Sequence, residues 1–362
     1  MFIMTMARST VVRAGEAGVY HCVSRCVRRA FLCGRDPLTD QDFEHRRGWI
    51  ATRLKELSEV FAVEILAYAV MSNHLHLVAR MDPVAAQAWS SEEVGRRWCR
   101  LYPLYRDAEG HPVAPSAEAM ETFLSGEGRE AQCRERLGSL SWLMRCLSEP
   151  IARRANREDG CTGRFWEGRF KCQRLEDAGA VLACMTYVDL NPVRAQVAET
   201  PEQSDFTSVQ DRHRAEAARR ALAEVSKSPA EPGSEAQGWE RQRLEAGAVR
   251  DAWLCPLGEE RSEENLPSVD LSAYLALVDW TGRQIREDKA GSIPEELLPV
   301  LERLDLEVEN WVGTVERYGG LYYRIAGRID CLRRAALACG QRWFHGLRSS
   351  GGVYRRSAGK AA

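Results

Sequence analysis

His74-Leu75-His76 and a later tyrosine, Tyr187, are the residues of this chain whose types and spacing point to chemistry. Residues 63–80 read as two apolar strands, VEILAYAV and HLHLVAR, broken at Met71-Ser72-Asn73. Side chains alternate faces along a strand, so His74 and His76 share one face while Leu75 and Leu77 take the other. Two imidazoles side by side can chelate a divalent ion without backbone strain. His-x-His alone also describes one exposed and one buried structural histidine. The second half of the chemistry lies in Tyr187-Val188-Asp189-Leu190-Asn191-Pro192-Val193-Arg194. Tyr187 and Asn191, four apart, fall on one helix face. Proline disfavours helical geometry in the residue before it, which puts Asn191 at or just past the last turn, its amide oxygen free to turn toward an ion. A helix-end tyrosine is by itself an ordinary packing residue. Beside two strand histidines and an asparagine it reads as a nucleophile.

A third element, Gly163-Arg164-Phe165-Trp166-Glu167-Gly168-Arg169-Phe170-Lys171, is basic and aromatic. Phe165, Trp166 and Phe170 suit base stacking, and Arg164, Arg169 and Lys171 suit phosphate contacts. Phe165 and Trp166 fit equally well as a hydrophobic turn packed on a sheet. Arg25, Arg28 and Arg29 would flank the same groove, and Arg194 completes the set of candidate DNA contacts. The net charge of the 362 residues is only −2, but it is unevenly distributed. Residues 1–35 carry six arginines against Glu16, and residues 142–174 carry seven arginines and a lysine against four carboxylates. Two basic faces on a near-neutral chain fit a phosphate-binding surface, although scattered arginines on solvated helices give the same count.

The elements that must position these groups follow from pattern. A strand is expected near 19–24 and a helix over 41–60, with Trp49, Ile50, Leu54 and Leu57 at helical spacing. Residues 82–135, rich in proline, glycine and mixed charge, read as an insertion, helical around 92–102. Residues 136–174 begin with a helical stripe of Leu140, Leu143, Leu147 and Ile151. A helix over 177–190 ends before Pro192. The domain reading is a catalytic unit over 1–210, a polar helical linker over 211–265, a separate helical domain over 266–348 and a disordered tail over 349–362.

The hydrophobic content of 44% supports a core, and no apolar run approaches the roughly 18 residues of a membrane span. The N-terminus lacks a positive-then-apolar signal layout, and twelve cysteines without a CxxC pair fit reduced thiols, so a cytoplasmic, nucleoid-associated location is expected. Cys22, Cys26 and Cys33 cluster, but at a spacing that matches no common zinc pattern.

Together the pieces resemble the single-tyrosine HUH transposases (the IS200-like family), in particular their REP-associated branch. VMSNHLHLV resembles the family's His-hydrophobic-His strand, with Ser72 where proline is common; GRFWEGRFK resembles the segment before the nucleophile helix; YVDLNPVRA resembles the nucleophile motif; YHCVSRCVRRAFL resembles the first strand and turn. These stretches lie in 15–81 and 136–210, a little over a third of the chain. The resemblance implies an α+β fold, a ferredoxin-like antiparallel sheet of four or five strands with helices mainly on one face, here with a helical insertion and an all-α C-terminal domain. It implies Tyr187 as nucleophile and His74, His76 and Asn191 as ligands of Mg²⁺ or Mn²⁺. It also implies cleavage and strand transfer of single-stranded or hairpin DNA through a 5′-phosphotyrosine, by a monomer or a homodimer. No GxxxxGK[ST] loop is present, in keeping with chemistry that needs no ATP.

Two other readings stay open at this level: a DNA-binding regulator that keeps the fold without activity, and a metal hydrolase in which Tyr187 only packs. A C-terminal stretch with Tyr322, Tyr323, Arg324, Arg328, Arg333, Arg334, Arg342 and Trp343 reads either as a nucleic-acid or partner module or as an amphipathic helix pair.

Overall fold

The computed structural model describes residues 11–13, 15–27, 32–35, 40–227, 235–258, 265–286 and 294–355. Its first half contains β1 (Gly18–Arg25), α1 (His45–Ser58), β2 (Val63–Val70), β3 (His74–Met81), α2 (Pro83–Ala88), α3 (Ser91–Leu101), a two-stranded hairpin of β4 (Tyr105–Arg106) and β5 (Pro112–Val113), α4 (Ala117–Leu124), α5 (Arg129–Leu137) and α6 (Leu140–Glu158). The second contains β6 (Lys171–Leu175), α7 (Ala178–Asp189), α8 (Asn191–Arg194), α9 (Ser208–Val225), α10 (Glu235–Ala248), α11 (Leu271–Ile285), α12 (Leu298–Arg303), α13 (Val308–Leu321), β7 (Ile325–Ala326), α14 (Ile329–Ala338) and α15 (Leu347–Val353). The main sheet has five strands in the order β2-β3-β1-β6-β7 and is mostly antiparallel; β7 runs parallel to β6. A mixed sheet with many helices is an α+β architecture. No helix among the described residues is long and apolar enough to cross a membrane.

The chain divides into two compact units. The first comprises residues 1–64, 72–74 and 79–172, the second 65–71, 75–78 and 173–362.

In the first unit α1 packs on α6. The expected stripes are buried: Ile50, Leu54 and Leu57 on α1, and Leu140, Leu143, Leu147 and Ile151 on α6. Arg46, almost fully buried, pairs with Glu158 and Asp159 where α6 ends. The insertion is ordered by its caps. Asp82, Ser90 and Ser116 each accept a backbone N–H three residues on, which satisfies donors that a helix start leaves open.

In the second unit the centre is α7. Its sequence, AGAVLACMTYVD, is apolar all round, and every residue from Gly179 to Asp189 except Tyr187 is buried. Two carboxylates fix its ends. Asp177 caps the start, accepting from the Ala180 N–H at 2.9 Å, and also accepts from Arg328 N and the Tyr354 hydroxyl, each at 2.7 Å. Asp189, fully buried, accepts from the Val209 N–H at 3.1 Å, the Tyr274 hydroxyl at 2.5 Å and the Ser208 hydroxyl.

Three differences from the sequence expectations share one cause, contacts distant in sequence. Residues 211–265 are more than a linker. Arg212 is buried and donates to the carbonyls of Leu66 (3.0 Å) and Cys255 (2.8 Å), and residues 206–208 and 254–255 bond to β2, so the outer strand's polar backbone is covered. Residues 266–348 lie in the same compact unit as 173–210, and they include a strand, β7, paired to β6. The tail expected to be disordered from 349 instead contains most of α15, with Ser350 donating to the Gly327 carbonyl at 2.7 Å; residues 356–362 lie outside the described residues.

Candidate active site

Tyr187 sits in the last turn of α7, half-buried on a helix that is otherwise core. Its ring is bounded on three sides by groups of the same unit. His76, on β3, meets it edge to face, with centroids 5.7 Å apart and planes at 87°. Tyr318, on α13, lies 5.4 Å away at a 32° tilt. The Arg194 guanidinium stands 4.8 Å over the ring, close enough for cation–π attraction. The tyrosine hydroxyl reaches α13 at Gly319, where a Cβ would fall 3.0 Å from it. His76 itself is buried at 4% exposure.

The helix breaks at Leu190 and restarts as α8 with Pro192 in its first turn, because proline needs no N–H partner there. Asn191 is buried, and its orientation differs from the sequence expectation of a freely turning amide. Its Nδ2 donates to the Tyr187 carbonyl at 3.0 Å, which fixes the side chain, and its Oδ1 receives a long contact, 3.5 Å, from Arg194 Nη1. The same arginine donates through Nη2 to the Glu316 carbonyl of α13. Arg194, expected from the sequence among the DNA contacts, is half-buried and stands across the tyrosine.

His74 opens β3 in the first unit and is half-buried. Burial, and secondarily the positive charge of Arg25, push its pKa down to about 4, so the ring is neutral at neutral pH. Its Nδ1 lies 2.5 Å from Asn73 Oδ1, an atom that only accepts. The ring proton is therefore on Nδ1 and the lone pair on Nε2, the form in which imidazole ligates metals. The loop before it is anchored, with the Asn73 and Ser72 carbonyls accepting from the N–H groups of Cys26 (3.0 Å) and Cys33 (3.1 Å).

Neutral imidazole and an amide oxygen are each donors that a hard or borderline divalent ion accepts. Among the described residues no group of three His, Cys, Asp or Glu side chains is placed to hold a metal. Cys22, Cys26 and Cys33 are all buried thiols, and burial pushes Cys33 up to about 12.

The basic-aromatic segment divides. Arg164, Arg169 and Lys171 are exposed, as phosphate contacts need to be, and Arg25 is exposed at the end of β1. Phe165 is not available to stack on bases: it is 2% exposed and meets Trp166 edge to face at 5.0 Å. The reason is backbone pairing. Val27 N donates to the Phe165 carbonyl and Glu167 N to the Arg25 carbonyl, which continues β1 as a bridge between Cys26 and Trp166. Trp166 is half-buried and donates its indole N–H to the Ser148 carbonyl at 2.8 Å; Phe170 is half-buried. Arg28 and Arg29 lie outside the described residues.

Sequence reasoning missed Tyr318, Gly319 and Asp189. One signal was present: Gly319 falls in the last turn of a helix, where the missing Cβ admits a close approach.

No family model matches the chain, and no curated protein matches it. Among solved structures it is similar to "Structure of the REP associates tyrosine transposase bound to a REP hairpin", with a TM-score of 0.33 and 12% identity, over 57% of this chain and 82% of that one.

Proposed function

We propose that this chain is a tyrosine transesterase that cleaves and rejoins single-stranded DNA, built on the ferredoxin-like HUH core that its motifs resemble. The observation that carries the reading is the Tyr187 ring held against His76, with Arg194 across its face and Asn191 bonded to its own backbone. Cations also stand near the buried rings of Tyr274 and Tyr354, so what sets Tyr187 apart is His76 at its edge and Asn191 on its backbone. A nucleophile must present one oxygen in one direction, and fixing the ring supplies part of the orientation that makes such a reaction fast.

In the proposed step the Tyr187 hydroxyl attacks a DNA phosphorus in line with the departing 3′-oxygen. The new O–P bond forms as the old one breaks, the tyrosine proton passes to solvent, and the 3′-oxygen leaves as a hydroxyl after taking up a proton. The product is a 5′-phosphotyrosine and a free 3′-end, and the reverse attack by another 3′-hydroxyl rejoins strands without ATP. His74, His76 and Asn191 would hold a Mg²⁺ or Mn²⁺ ion, which when bound supplies charge for a non-bridging phosphate oxygen. Arg25, Arg164, Arg169 and Lys171 would contact the strand's phosphates.

The test is a labelled hairpin single strand, incubated with the full chain and Mn²⁺ or Mg²⁺ and resolved on a denaturing gel. An SDS-resistant adduct that is lost in Tyr187→Phe, in His76→Ala and on chelation supports the reading. Cleavage that survives Tyr187→Phe overturns it in favour of a hydrolase. A second reading, a DNA-binding protein without activity, draws on one observation: α13 packs directly on the tyrosine at Tyr318 and Gly319. Salt-sensitive hairpin binding with no adduct would favour it.

A further inference from the structure

We infer that the surface of residues 323–348, with exposed Tyr323, Arg333, Arg342, Trp343 and Arg348 and half-buried Arg324, is a second binding surface for single-stranded DNA, seating the strand on its way to or from Tyr187. The inference rests on the reading of Tyr187 as a DNA nucleophile. It concerns a part of the chain that the motif resemblance does not reach.

Charge is the first argument. Residues 321–348 hold six arginines against one carboxylate, Asp330, in a chain of net charge −2. Asp330 is taken by Arg334, and Arg328 pairs with Asp305. Among the described residues no ion pair involves Arg324, Arg333, Arg342 or Arg348. Guanidinium groups left without carboxylates are the footprint of a polyanion.

The rings are the second argument. Tyr323 and Trp343 are 61% and 65% exposed, whereas Trp311, Tyr274 and Tyr318 of the same unit are buried. Single exposed apolar residues are common on protein surfaces, but exposed rings among uncompensated arginines are the combination that single strands use, bases stacking on the rings while phosphates meet the cations. Arg324 already lies 5.5 Å from the Tyr323 ring centre.

The third argument is that the segment bearing Tyr323 and the loop bearing Trp343 adjoin each other, and that this segment reaches the nucleophile. Gly346 adopts φ +116°, and a Cβ there would fall 2.7 Å from the Tyr322 ring and 3.4 Å from the Leu321 carbonyl. The loop bearing Trp343 is thereby packed against the segment bearing Tyr323. Tyr322 is buried and Tyr323 exposed, as neighbours in extended chain must be when one face is covered. Inward, the Tyr322 ring lies 5.7 Å from Tyr318, which lies 5.4 Å from Tyr187. A line of rings, Tyr322, Tyr318 and Tyr187, runs from the residue beside Tyr323 to the proposed nucleophile.

The experiment measures fluorescence anisotropy of a labelled 20-nucleotide single strand and a duplex of the same sequence, with the full chain and two double variants, Tyr323→Ala/Trp343→Ala and Arg342→Glu/Arg348→Glu. All four positions are exposed, and circular dichroism confirms folding. Adduct formation is measured on the same proteins. The expected result is a single-strand affinity at least tenfold weaker in both variants, with a preference of wild type for the single strand that the aromatic variant loses. A salt dependence shallower by about 1.4 in the arginine variant, two phosphate contacts at about 0.7 each, is also expected. Unchanged affinity in both variants overturns the surface, whether or not an adduct forms. Affinity loss in the variants together with no adduct from wild type supports the surface and counts against Tyr187 chemistry, so the two failures are distinguishable.

Discussion

The Arg194 guanidinium lies 4.8 Å over the Tyr187 ring while donating to the Glu316 carbonyl, so one side chain joins α8, α7 and α13 at the proposed nucleophile. A planar cation stacked on a ring is not replaced by an ammonium, which lacks both the plane and the fork of donors. Arg194→Lys is expected to slow single-turnover adduct formation about tenfold, the rate equivalent of the 1–2 kcal/mol assigned to a partly desolvated cation–π contact, and Arg194→Ala to slow it further. A lysine variant at full rate would remove the stack from the mechanism.

Gly319 offers a separation of stability from activity. Alanine favours a helix over glycine, by less in the last turn, where Gly319 sits, than the about 1 kcal/mol of a helix interior, so Gly319→Ala should leave Tm unchanged or raise it. The added methyl would sit 3.0 Å from the Tyr187 hydroxyl, tighter than ordinary contact, and should displace it. The expected outcome is a fall in adduct rate with no loss of thermal stability. A parallel fall in both would indicate a general packing defect.

Asp189 gives a pH dependence with a definite sign. Burial raises its carboxyl from 3.8 to about 6, against the opposing pull of Arg212, Ser208, Tyr274 and the Val209 N–H. A carboxyl that holds its proton more tightly when folded favours folding most below about pH 4, and that advantage is lost as pH rises through about 6. The rise from 3.8 to about 6 corresponds to about 3 kcal/mol. Asp189→Asn carries no such titration. Urea unfolding at pH 4.5 and 7.5 should show the variant gaining on wild type at the higher pH, and an unchanged difference would disprove the assignment.

Phe165→Ala tests whether this ring is a core residue rather than a base-stacking one. Removing a ring buried at 2% exposure should cost about 3–5 kcal/mol in chemical denaturation, as large-to-small core changes do. The affinity of the folded fraction for single-stranded DNA should stay as in wild type. A tenfold loss of affinity without destabilisation would return Phe165 to the binding surface.

The sequence by itself determined the parts of this protein that depend on local repeat. The alternation of His74 and His76 along a strand, the four-residue step from Tyr187 to Asn191, the break before Pro192 and the buried stripes of α1 and α6 are properties of the strand and helix periods, legible in neighbouring letters. Tertiary structure alone decided what surrounds the tyrosine. Tyr318 and Gly319 reach it from about 130 positions away, Arg194 turns inward because the Glu316 carbonyl is there to receive it, and Asp189 is buried because Ser208 and Tyr274 arrive from α9 and α11. The same cause drew Phe165 into the core and Tyr354 onto the start of α7. A side chain's partners across such distances are fixed by which faces pack together, and no period in the chain encodes that.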